Sequence, residues 1–159
     1  MIQYIISACL VGLDTRYDGK NSFSKVFFDM VKEGKAVPFC PEQAGGLTTP
    51  RLPSEISGGD GNAVLMGKAK VISKDGQDVT DSFIKGAKQV LKFAELLGVK
   101  KAILKSKSPS CGCEKVYDRS FCGILRDGMG VTAAYLKDNG IEVIDSEEFL
   151  SSGCYKMSE

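Results

Sequence analysis

YIISAC (residues 4–9), AVPFC (36–40) and AILKSKSPSC (102–111) are the stretches that decide the fold. Each is a short apolar run that leads into a loop carrying a cysteine: Cys9, Cys40 and Cys111. Apolar runs with so little polar alternation read as strands buried on both faces, the pattern of a parallel sheet. Strands of one parallel sheet end along one edge. Three thiols far apart in sequence therefore meet at that edge.

The segments between these runs have helical spacing. In 22–34, Val26, Phe27, Met30 and Val31 recur on one face, with Ser22 or Asn21 as cap and Gly34 as stop. Asp78 or Thr80 caps a longer helix to about residue 97, with Phe83, Ala87, Val90, Leu91, Ala94 and Leu97 on its apolar face and Gly98 at its end. A short helix over 131–139 stops at Gly140. The fourth strand is 141–144, and 146–150 forms a last helical turn. NAVLM (62–66) and AKVIS (69–73) flank a Gly-Lys turn and read as a small β-hairpin insertion.

This order specifies an α/β domain of three layers. Its sheet is mostly parallel and four-stranded, with helices on both faces. Right-handed crossovers give the strand order 2-1-3-4. The switch point lies between the first and third strands, where ligands of such sheets bind beyond the carboxyl ends. Cys9, Cys40 and Cys111 all fall on that side. Two long polar segments, 41–61 and 106–130, have the length and composition of functional loops.

Composition limits the chemistry further. The 159 residues make one domain, 1–159, and 43% of them are hydrophobic, enough for an ordinary core. Lys and Arg number 21 against 20 Asp and Glu, so no basic footprint for nucleic acid is present. No apolar run approaches a membrane span. IISAC imitates a lipoprotein cleavage box, but residues 1–3 supply neither the charge nor the length of a signal segment, so a cytoplasmic protein is expected. In a reducing compartment, six cysteines point to metal ligation or catalysis rather than disulfides.

The chain has no histidine. That excludes a Ser-His-Asp triad, a Cys-His pair and histidine-ligated zinc. Acid–base work falls to Glu, Asp, Lys, Tyr or Cys. Three thiolates suit an iron–sulfur cluster with one iron left free, or zinc with one open position. Cys113, two residues past Cys111, is an alternative or additional ligand, whereas Cys122 and Cys154 stand in ordinary structural contexts. Cys40-Pro41-Glu42 sets a carboxylate two residues from a candidate ligand, where it can move a proton. Lys105-Ser106-Lys107-Ser108 offers cations and hydroxyls behind a strand. Arg16-Tyr17 and Arg51 add candidate substrate contacts.

ISACLVG with RYDG, CPEQAGGLTTPRLPSEI, DVTDSFIKGA, LKSKSPSCG and GMGVTA occur in the order of one family. Over residues 4 to about 147 the chain resembles the thiouracil desulfidases. The resemblance implies a Rossmann-like α/β domain and a 4Fe–4S cluster held by Cys9, Cys40 and Cys111, with one iron open to substrate sulfur. It implies Glu42 as the catalytic acid/base, with a serine just before Cys111 as helper. Ser108 is preferred over Ser106 because it is closer to the cluster ligand. Arg16, Tyr17, Lys105 and Ser106 become candidate contacts to a small thiolated base. The implied reaction takes sulfur from 2-thiouracil, giving uracil and hydrogen sulfide. A non-enzymatic metal-binding or redox-sensing module is the alternative. Arg119 stands where the family pattern leads one to expect glycine, which marks 117–121 as a loop of its own character.

Overall fold

The computed structural model describes residues 1–153. The central sheet comprises β1 (Tyr4–Ser7), β2 (Ala36–Phe39), β5 (Lys101–Leu104) and β8 (Glu142–Asp145). All pairings are parallel and the order is β2-β1-β5-β8, the expected 2-1-3-4. Pro38 sits in β2, an edge strand, where its missing N–H breaks no interior ladder.

Alternation along β1 and β5 builds the three layers. Ile5, Ala102 and Leu104 pack with Val90, Leu91 and Ala94 of α4 (Thr80–Leu97) and with Ala133 and Leu136 of α5 (Val131–Asp138). Ile6 and Ile103 point the other way, onto Phe27 and Met30 of α1 (Lys25–Lys32) and Phe149 of α6 (Ser146–Ser152). Ile6, Phe27, Met30 and Ile103 are fully buried, each stabilising the fold by roughly 1.5–3 kcal/mol through removal from water. Asp145 closes β8 and caps α6, accepting from the N–H groups of Glu147 and Glu148. No helix among the described residues is long and apolar enough to cross a membrane.

The helix after β1 starts later than its periodicity implies. Residues 22–24 are held instead by the turn Ala8–Val11: Ser22 N donates to Cys9 O, and Ser24 N to Leu10 O. The small insertion is present, but its first strand is not 62–66. That segment is helix α3 (Gly61–Leu65), capped by Asp60, whose carboxylate accepts from Ala63 N. The partner of β4 (Lys70–Ser73) is β3 (Ser54–Ser57), paired antiparallel. Neither long segment is structureless. Residues 41–61 contain α2 (Pro41–Ala44) as well as β3, and 106–130 contain the antiparallel pair β6 (Lys115–Tyr117) and β7 (Leu125–Asp127). Cys154 lies outside the described residues.

Helix α2 carries Glu42, and its seat on α4 depends on two glycines. A methyl group on Gly86 would overlap the Pro41 carbonyl, and one on Gly45 would overlap the Ser82 carbonyl. Alanine normally favours a helix interior over glycine by about 1 kcal/mol. Gly86→Ala is nonetheless expected to lower stability by about 1–3 kcal/mol, the scale of overpacking against backbone that cannot yield. Chemical denaturation measures it; a more stable Gly86→Ala protein would show that α2 does not rest on α4 in this way.

Candidate active site

Three different devices bring the thiols to one place. β1 ends in the turn Ala8–Val11, which tucks Cys9 beneath it at 8% exposure. β2 ends at Phe39, and the next residue, Cys40, is the extended N-cap of α2. β5 is followed by a tight turn in which the Ser108 hydroxyl accepts from the N–H groups of Ser110 (3.1 Å) and Cys111 (3.0 Å). That turn delivers Cys111 at 5% exposure. All three line one cavity of about 460 Å³ at the carboxyl edge of the sheet.

The same cavity is lined by the candidate catalytic and substrate-contact residues Glu42, Ser108, Arg16, Tyr17, Lys105 and Ser106. Lys105 N donates to the hydroxyl of buried Ser7, tying β5 to β1 at the cavity floor. Lys105 Nζ reaches Ser106 O at 3.2 Å. Arg16 is braced by Asp18 (3.0 Å) and Ser22 (3.1 Å). Tyr17 is exposed, and its carbonyl accepts from Arg51 N.

The thiols are electrostatically one group. Burial pushes Cys9 up to about 11, against the pull of Lys105, and the charge of Cys40 adds to the rise. Cys40 is raised by burial. Cys111 is raised chiefly by burial; a hydrogen bond with Ser7 opposes this, and the charges of Cys40, Cys9 and Glu42 add to it. Two buried thiols, Cys9 and Cys111, raised further by the charge of half-buried Cys40, form with it a donor set that a cationic centre would relieve. Among the described residues, no three His, Cys, Asp or Glu side chains converge tightly enough to hold a single metal ion. Cysteine thiolates are the donors that an iron–sulfur cluster takes, and the cavity supplies three of them.

Cys113 is placed differently. It does not line the cavity; it packs against the core, with its Sγ 3.6 Å from Cys111 O. Burial pushes it up to about 12, and the charges that add to this are those of Asp145, Glu114 and Glu148, not the cavity thiols. Cys122 is exposed.

Glu42 is anchored by Arg51, whose Nη2 and Nε lie 2.6 and 2.7 Å from Oε2. The same guanidinium donates to Thr15 O, Thr48 O and Thr49 Oγ1, so it fastens the loops after β1 and α2 around the carboxylate. Burial raises the Glu42 carboxyl above its ordinary value, with the Arg51 charge and hydrogen bond pulling the other way. Both bonds fall on Oε2, so Oε1 is available to water or substrate.

Some lining residues carried no signal in the sequence. Ser7 is the last residue of a strand, and its role appears only when β5 lies beside β1. Glu55, Tyr117 and Phe121 come from the two segments read as loops, and only the folded hairpins bring them to the cavity.

Comparison with known proteins places the chain among relatives along almost its whole length. Residues 4–148 match the family model described as 2-thiouracil desulfurase. An uncharacterised protein of Bacillus subtilis (strain 168), YbbK, is 44% identical over 144 residues, covering 91% of this chain and 95% of that one. The solved structure of the 4Fe–4S-dependent thiouracil desulfidase TudS superposes with a TM-score of 0.81 at 37% identity, covering 98% of this chain and all of that one. The α/β fold with its parallel four-stranded sheet is thus shared with a solved relative, and the chain belongs to the 2-thiouracil desulfurase family.

Proposed function

We propose that this protein is a 4Fe–4S-dependent desulfidase of a small thiolated nucleobase such as 2-thiouracil, with Cys9, Cys40 and Cys111 as cluster ligands. The observation that carries the reading is the meeting of Cys9, Cys40 and Cys111 with Glu42 in one cavity. Family membership and the likeness to TudS support it. The cavity volume, about 460 Å³, falls in the range of small-ligand sites.

The overall change is a hydrolysis. Water oxygen replaces sulfur on the ring carbon, both water protons leave with the sulfur as hydrogen sulfide, and no electron donor is required. When bound, a cluster with one iron free of protein thiolate supplies a Lewis acid for the soft thiocarbonyl sulfur. Glu42 Oε1 takes a proton from the attacking water and returns it to the departing sulfur. Arg51 fixes that carboxylate at the cavity wall. The Ser108 oxygen already accepts two amide N–H groups, so its own proton is directed elsewhere, as a donor toward substrate. Lys105, whose charge acts on Cys9, offsets the negative charge that collects at the thiolates.

A redox-sensing module fits less well. Sensor thiols have lowered pKa values and open access, whereas Cys9 and Cys111 are buried and raised. The deciding experiment is anaerobic reconstitution with iron and sulfide, followed by visible absorption and sulfide release from 2-thiouracil. A broad thiolate-to-iron band together with turnover is expected. A colourless protein that holds one zinc per chain and releases no sulfide overturns the reading.

A further inference from the structure

Glu55 stands apart from the residues assigned so far. It belongs to β3, where Ile56 faces the hydrophobic core and Glu55 lies on the cavity side at 7% exposure. A buried carboxylate ordinarily has a cationic partner. Among the described residues Glu55 has none. Its Oε1 instead accepts from the backbone N–H of Arg119 at 2.8 Å and of Phe121 at 3.4 Å. Those two residues have φ of 80° and 55°, a region that side chains other than glycine rarely enter. The carboxylate thus gathers two amides of one turn and holds it in a conformation that the turn disfavours on its own. The segment so held carries Phe121 and Gly123 into the cavity wall, beside Tyr117 of β6.

We propose that Glu55 is a positioning residue for desulfuration, which fastens residues 119–121 so that Phe121 forms an apolar wall for the planar substrate ring. This rests on the desulfidase reading above. Glu55 acts through the turn and touches no reacting atom, so its loss weakens substrate binding and leaves the chemical step nearly intact. A planar ring resting on one aromatic face gains affinity of the scale seen for bases stacked on aromatic side chains. Glu55→Ala is therefore expected to raise KM for 2-thiouracil about 10-fold with kcat changed less than about 3-fold. Glu55→Gln retains the accepting oxygen and restores most of the KM. Phe121→Ala raises KM by a similar factor, and the double variant is no worse than either alone, because both remove the same wall.

The test uses reconstituted holoenzyme with three readouts: KM and kcat, iron per chain, and amide hydrogen exchange of 118–123. In Glu55→Ala, exchange at Arg119 and Phe121 should rise at unchanged iron content; in Glu55→Gln it should stay near wild type. An unchanged KM in Glu55→Ala overturns the proposal, as does a fall in kcat alone or a Glu55→Gln variant as impaired as Glu55→Ala. If Glu55→Ala does not fold, Phe121→Ala decides, and an unchanged KM there is equally fatal. Failure of wild-type holoenzyme to release sulfide would instead count against the desulfidase reading, which keeps the two failures distinct.

Discussion

Cys111→Ser is expected to abolish iron–sulfur cluster binding, whereas Cys113→Ser leaves it largely intact. The two residues lie one glycine apart, so sequence spacing does not separate them. Their surroundings do. The Ser108 hydroxyl holds the N–H of Cys111 and fixes the turn that places this residue in the cavity wall. The Cys111 thiol is influenced by Ser7, Cys40, Cys9 and Glu42, all cavity residues. The Cys113 thiol packs against the core and is influenced by Asp145, Glu114 and Glu148. A serine oxygen is a far poorer ligand than a thiolate for iron in a cluster, so removing one of the three proposed ligands should leave substoichiometric iron. Iron and sulfide per chain, measured on both variants after anaerobic reconstitution, decide it. Equal loss in the two would make Cys113 a ligand and would require the 111–113 turn to rearrange around the cluster.

The central sheet was legible because its two interior strands, YIIS and KAIL, each carry consecutive apolar residues. Ile5 and Ile6 must both be buried, and only a sheet covered on both faces does that. Topology then converts sequence into proximity, since every parallel strand ends on the same edge. That is why Cys9, Cys40 and Cys111 stood out with no ligand-spacing motif to mark them. The hairpins were hidden for the opposite reason. SEIS offers one core residue, Ile56, and LRD of β7 offers none that is buried. Such strands exist because a partner lies alongside, not because of their own pattern. NAVLM was ambiguous, as short apolar runs are; the Asp60 cap, accepting from Ala63 N, decides for helix. Glu55 was hidden more deeply still, because its partners are main-chain amides more than sixty residues away.

Glu42→Gln is expected to retain the cluster and to bind 2-thiouracil, yet to lose turnover by about 10²–10⁴-fold, the scale for a positioned acid or base. The substitution keeps the shape of the side chain and an oxygen that accepts from Arg51. Arg51 in turn keeps Thr15 O, Thr48 O and Thr49 Oγ1, so the cavity wall should survive. What is lost is the proton site. No histidine can replace it, since the chain has none. The other cavity carboxylate is Glu55, and the amides of Arg119 and Phe121 already occupy one of its oxygens. Burial raises the Glu42 carboxyl from its ordinary value, and the Arg51 charge and hydrogen bond oppose the rise. Sulfide release and thiouracil binding, measured on the same reconstituted sample, separate chemistry from affinity. If Glu42→Gln released sulfide at a near-normal rate, Glu42 would be removed from the proton path. The Ser108 hydroxyl, with its proton directed away from two amides, and Lys105 would then be the remaining groups placed to carry it.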